Sequence, residues 1–175
     1  MEYARDGAMS ALILGFFASS WFGWAQEKPP PGWRALLVTG AVLSLAIAGI
    51  GAVLAWRTWS GGSVLDEPGA MRRYGMVVGV EFGVAAVGAL VLAVCRRLEY
   101  LSAWICLVVG LHFAPMAPIL DSPPLIALGL VLTGVAVAAV LLHRRTGMAT
   151  SAATGIGAGF ALLSSAIWGA AAALS

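Results

Sequence analysis

Residues 74–120, "YGMVVGVEFGVAAVGALVLAVCRRLEYLSAWICLVVGLHFAPMAPIL", hold the reading that decides the fold. Two apolar runs, 74–95 and 100–120, flank the short punctuation "RRLE". Each has the length of about 20 residues that carries an α-helix through roughly 30 Å of hydrocarbon at about 1.5 Å per residue. Period-two alternation is missing and the runs are too long for barrel strands, so both read as helices. So brief a connection makes them antiparallel neighbours across a membrane.

Working outward, the same test finds runs near 8–25, 35–56, 125–143 and 151–174. They are separated by "QEKPPPGWR", "RTWSGGSVLDEPGAMRR", "DSPP" and "HRRTGMAT", each rich in turn formers or charge. The expectation is an all-α polytopic membrane protein, six transmembrane helices in a single transmembrane domain over 1–175. Composition agrees, with 61% of residues hydrophobic and 10% charged, too few polar groups to cover a water-soluble domain. The lipid bilayer is therefore the first partner. A net charge of +2 with no basic cluster among exposed aromatics argues against nucleic acid.

The first run ends in "SSWFGWA", with bulky rings where signal cleavage wants small residues, and Glu2 and Asp6 stand beside Arg5 at its start, so it reads as a retained span. Trp21, Trp24 and Trp33 read as interfacial anchors. The connections after the first, third and fifth helices carry Lys28, Arg34, Arg96, Arg97, Arg144 and Arg145, against Arg5, Arg57, Arg72 and Arg73 on the other side. The positive-inside rule then places both termini outside the cytoplasm. Nine of ten basic residues are Arg, and the wealth of Ala, Gly and Val fits a GC-rich bacterial genome, so a bacterial inner (plasma) membrane is expected. Cys95 and Cys106 lack CxxC spacing and read as two small buried apolar side chains.

Two ionisable residues stand away from the ends of the spans, Glu81 in the third helix and His112 in the fourth. Each lies roughly 20 Å by helical rise from the "RRLE" connection, so they share one depth. A charge there costs about 2.5–3.5 kcal/mol on insertion scales and persists where it is paired, hydrated or buried among helices. Gly75, Gly79 and Gly83 form a small-xxx-small ridge suited to close helix packing. The 100° step turns Glu81 away from that ridge, onto a face with Tyr74, Val78, Ala85 and Gly88. The third helix is thus expected to be central, packed by its glycines and presenting Glu81 to His112. Pro115 and Pro118 remove the donors to the carbonyls of Leu111 and Ala114, which predicts a kinked or opened helix beside His112.

A polar niche of this kind is where ions, protons or solutes pass. Glu81, His112, Pro115, Pro118 and Tyr74 are the candidate pathway residues. The leading expectation is a small transporter or channel-like protein with a proton-titratable Glu/His site in the bundle interior, since histidine ordinarily titrates in the physiological range. A bundle of this size suits a homodimer, and the glycine ridge can serve packing either within a subunit or between two. The rival is a non-transporting scaffold, an accessory, immunity or stress protein whose Glu–His bond only fastens two helices and whose spans bind another membrane protein. An enzyme is the weaker reading: Ser19 and Ser20 have no motif around them, and no cofactor is indicated. Asp121 lies nine residues from His112, more than ~13 Å along a helix, which leaves two ligands where zinc wants three or four.

Two further patterns carry expectations. "PPPGWRALLVTGAV" and "SPPLIALGLVLTGVAV" rhyme around Thr39-Gly40 and Thr133-Gly134, as do "GVEFG" and "GAGFA", which suggests a 3+3 inverted repeat. "YGMVVGVEFG" followed by "AWICLVVGLHFAPMAPIL" resembles a group of small, uncharacterised bacterial integral membrane proteins. Their pattern is an E-F pair in the third helix and V-G-x-H-F-x-P-x-A in the fourth, here Glu81, Phe82, Val109, Gly110, His112, Phe113, Pro115 and Ala117. The resemblance spans residues 72–120 and implies six helices, with no activity attached.

Overall fold

The chain is described by a computed structural model over residues 3–175. It is all-helical, with α1 (Ala4–Ala25), α2 (Arg34–Arg57), α3 (Ala70–Val94), α4 (Leu101–Ile119), α5 (Pro124–Thr146) and α6 (Thr150–Leu174). Single 3-10 turns at Trp59–Gly61, Val64–Asp66 and Leu98–Tyr100 punctuate the connections. All six helices are long and apolar enough to cross a membrane. The short links alternate their direction. One end of the bundle therefore gathers the start of α1, the α2–α3 and α4–α5 links and the end of α6, and the other gathers the remaining links.

Two boundaries move for identifiable reasons. α1 begins four residues before the expected position and takes Arg5 and Asp6 into its first turns. Both charges are met by the α2–α3 link. The Asp6 carboxylate accepts bonds from the Ser63 hydroxyl at 2.6 Å and the Val64 amide at 3.0 Å. Arg5 lies 3.4 Å from Asp66 and stacks its guanidinium 4.7 Å from the Trp59 ring. α5 extends to Thr146, so His143, Arg144 and Arg145 fall in its last turn, where cations complement the helix dipole. α3 ends in a Schellman arrangement, Arg96 N–H to Ala93 O at 3.0 Å and Arg97 N–H to Leu92 O at 2.8 Å, with Arg96 in the left-handed region at φ 55°.

Close approach is built from small residues, as expected in lipid, where packing replaces the hydrophobic driving force. The glycines that do this lie on α1, α2, α4, α5 and α6. A Cβ on Gly7 would stand 2.8 Å from the Gly169 carbonyl oxygen of α6, and one on Gly15 would stand 2.9 Å from the Ala48 nitrogen of α2. α4 and α5 are held equally close at Gly110 and Gly129, where a Cβ on Gly129 would come 2.6 Å from the Gly110 oxygen. α1 and α6 pack most extensively on each other, α2 covers α1, and α5 joins α4 to α6. The core includes Phe22, Leu37, Cys106, Leu132 and Leu162, and Trp21 is buried in it instead of anchoring at the interface.

α3 departs from expectation. It packs along its length on α4 alone, and of its residues only Ala70 is buried. Gly75, Gly79 and Gly83 are exposed, and a Cβ at each would meet nothing within 4 Å. The expected helix-packing role of Gly75, Gly79 and Gly83 within the bundle, and the central place of this helix, are therefore corrected. The reason is that the five other helices already satisfy one another through tighter Gly/Ala contacts, which leaves α3 one partner.

α3 and α6, which a 3+3 repeat would equate, have different surroundings: α6 packs on four helices. Gly40 is filled by the Phe22 ring, whereas its repeat counterpart Gly134 faces open space. Cys95 also differs from its expected burial, being exposed at the end of α3, while Cys106 is buried with Sγ 3.3 Å from the Leu132 oxygen.

Candidate functional site

The face of α3 that meets α4 carries Tyr74, Val78, Glu81, Ala85 and Gly88, all partly covered, as the 100° step requires. Two contacts hold the helices together there. The Trp104 indole of α4 donates from Nε1 to the Ala85 oxygen at 3.2 Å. Its ring lies against Gly88, where any added side-chain atom would collide with it. Further along, Glu81 Oε1 stands 3.6 Å from His112 Nδ1, the two side chains being 16% and 14% exposed.

His112 Nδ1 also lies 2.6 Å from the Val109 oxygen of its own helix. A carbonyl oxygen only accepts, so Nδ1 bears the hydrogen and donates it there. This bond fixes the ring's orientation and leaves Nε2 as the free nitrogen of the neutral ring. At 3.6 Å the carboxyl is in ion-pair range of Nδ1 but too far for a hydrogen bond. Among the described residues no group donates a hydrogen bond to Glu81. A carboxyl so placed in apolar surroundings is costly unless a partner arrives, whether a proton of its own, a cation or a donor on a guest molecule.

The pair opens into a groove of about 390 Å³ between α3 and α4, walled by Met76, Val80, Val84, Leu107, Leu111 and Pro115. It is open to the side. The pair thus sits at the margin of the bundle, and the expected interior location is corrected: α4 is the one helix on which α3 packs extensively, so whatever lies between them also lies at the edge.

The other expected pathway residues divide. Pro115 lines the groove, but Pro118 is exposed away from it. Tyr74 lies two helical turns before Glu81 and packs against the core without reaching the groove. The opened helix expected at Pro115 and Pro118 is not found; α4 runs through both prolines to Ile119. Proline's φ suits a helix, so each ring costs α4 one backbone hydrogen bond, to Leu111 or to Ala114, without ending it.

Sequence reasoning missed the brace formed by Trp104, Ala85 and Gly88, because nothing local links an indole to a glycine in another helix. It also missed a second, larger cleft of about 860 Å³, walled by α3, α4 and α5 and ending at Tyr100 and Arg144. No family model, no curated protein and no solved structure matches the chain.

Proposed function

We propose that the protein is a small membrane transporter or channel-like protein whose Glu81 and His112 form a proton-titratable site at the α3–α4 groove. The observation that carries this reading is the Glu81 carboxyl, held 3.6 Å from the Nδ1 edge of His112 and given no hydrogen-bond donor by the described residues. Because the groove opens sideways, a small solute, ion or proton reaches the pair from the bundle's flank, and Pro115 lines that approach. His112 contributes its free Nε2 as acceptor, or as donor once the ring is charged.

In this reading the uncovered α3 is where a second copy packs. Gly75, Gly79 and Gly83 offer a face on which nothing of the monomer intrudes, and small residues let two backbones approach. The location is a bacterial inner membrane with both termini outside the cytoplasm, on the strength of the six-to-four bias in basic residues, the composition and the resemblance over residues 72–120.

Proton flux into liposomes carrying a trapped pH-sensitive dye tests the reading. The wild type is expected to conduct or to couple protons, and Glu81→Gln to abolish that flux while the helices stay assembled. Flux unchanged in the variant refutes the role of the pair. The scaffold reading draws on the bare flank of α3, which suits another membrane protein equally in chemistry. It expects Glu81→Gln and His112→Gln to lower stability in a protein that conducts nothing.

A further inference from the structure

We propose that the cleft between α3, α4 and α5 binds one anionic phospholipid, its phosphate on Arg144 at the rim and an acyl chain laid along α3 toward Glu81. The proposal concerns occupancy of this cleft and stands whether or not the protein conducts protons.

The cleft exists because α3 and α5 both flank α4 but do not pack on each other. Gly83 and Gly88 contribute no side chain to fill the gap. Its walls are hydrocarbon, with Val87, Val91, Leu107, Val137 and Leu141 among them. At about 860 Å³ it falls within the size range of ligand sites and is concave, unlike the flat outer surfaces of α2 or α3.

Charge identifies the head that fits. Arg144 lies at the end of the cleft with Tyr100, and neither side chain has a hydrogen-bond or ion-pair partner among the described residues. Arg96 and Arg145 emerge at the same end of the bundle, also without partners among the described residues. Only Arg97 is engaged, 3.4 Å from Glu99. One uncompensated guanidinium at the rim of a hydrocarbon trough, with two more at the same end of the bundle, is complementary to a headgroup carrying net negative charge.

Length identifies the tail. The larger cleft shares the walls Val84, Trp104 and Leu107 with the groove that holds Glu81, so the two adjoin along α3. From Leu92 near the rim to Glu81 is eleven residues of α3, about 16 Å by helical rise. One leaflet of hydrocarbon is about 15 Å thick, half of the ~30 Å core. A phospholipid seated with its head at Arg144 therefore ends its chain beside the carboxyl–imidazole pair and occludes that pair from the flank.

The test uses the full chain in vesicles of phosphatidylcholine containing a minority of brominated phosphatidylglycerol or, in parallel, brominated phosphatidylcholine. Quenching of Trp104 is read as the difference between wild type and Trp104→Phe, and lipid retained through purification is counted by native mass spectrometry. The second readout does not depend on Trp104→Phe folding normally. Phosphatidylglycerol is expected to be favoured about fivefold over phosphatidylcholine, the worth of one arginine–headgroup contact at a membrane surface. Arg144→Gln should remove that preference, and Val137→Trp, which fills the cleft without changing charge, should remove the retained lipid. Arg57→Gln, at the opposite end of the bundle, should change neither. Equal quenching by the two lipids overturns the proposal, as does a preference that survives Arg144→Gln. Lipid retention undiminished in Val137→Trp overturns it too, because the headgroup would then be adsorbing outside the cleft.

Discussion

Gly79 and Gly110 are both mid-helix glycines in apolar surroundings, and alanine at the two positions should have opposite consequences. A Cβ on Gly110 would stand 2.7 Å from Thr133 Oγ1, 2.8 Å from the Thr133 nitrogen and 3.0 Å from the Gly129 oxygen. Two of those atoms are α5 backbone, which yields only if α4 and α5 separate by several tenths of an ångström. Overpacking of this sort costs about 1–3 kcal/mol. A Cβ on Gly79 would meet nothing within 4 Å. Both substitutions gain the same helix propensity, up to about 1 kcal/mol, so that gain cancels in the comparison. Gly110→Ala should therefore be less stable than Gly79→Ala by about 1–3 kcal/mol, with Gly79→Ala at or slightly above wild type. Reversible unfolding in mixed detergent micelles, followed by circular dichroism, measures both. Equal stabilities, or a larger loss at Gly79, would refute the peripheral position of α3, and with it the marginal location of the Glu81–His112 pair.

Other outcomes follow from the same geometry. Asp6→Ala removes a carboxylate that accepts from Ser63 and Val64, and should cost about 2–3 kcal/mol in the same unfolding assay, because bonds to a charged group are lost and Ser63 is left buried without its partner. Asp66→Ala should cost less than about 1 kcal/mol, since its pair with Arg5 is 3.4 Å long and the Asp66 side chain is 55% exposed; comparable losses for the two would contradict the clamp. Cys95 should react with a maleimide in the folded protein whereas Cys106 reacts only after unfolding, and mass spectrometry of the labelled chain distinguishes one adduct from two. Gly79→Leu should leave the monomer folded yet abolish dimer formed through α3; dimer unchanged in light scattering would place the contact elsewhere.

The six spans were legible because membrane thickness fixes helix length and leaves its mark as continuous apolar runs. The face shared by Tyr74, Val78, Glu81, Ala85 and Gly88 was legible too, as it follows from helical periodicity alone. The partner of each face was not. Gly75, Gly79 and Gly83 carry the same local signal as Gly7, Gly155 or Gly110, yet only the latter meet another backbone. In a chain so rich in small residues, packing is decided by shape complementarity between distant helices, which leaves no trace in either sequence by itself. Arg5 and Asp6 show a second limit. Charges at the start of a run read as its boundary, but a link some sixty residues away supplies their partners and lets the helix begin earlier.

The most extensive contact in the molecule joins the first helix to the last, with Gly7 of α1 seated on the Gly169 backbone of α6 and Gly155 of α6 seated on the Trp21 backbone of α1. A ribosome working at 5–20 residues per second finishes α6 on the order of ten seconds after α1 enters the bilayer. Through that interval α1 has only α2 at its side, its other flank facing lipid. Assembly therefore completes only when the last helix arrives: α1 with α2 and α4 with α5 can pair as they emerge, but a chain arrested after α5 leaves its oldest segment still waiting for the surface that completes it.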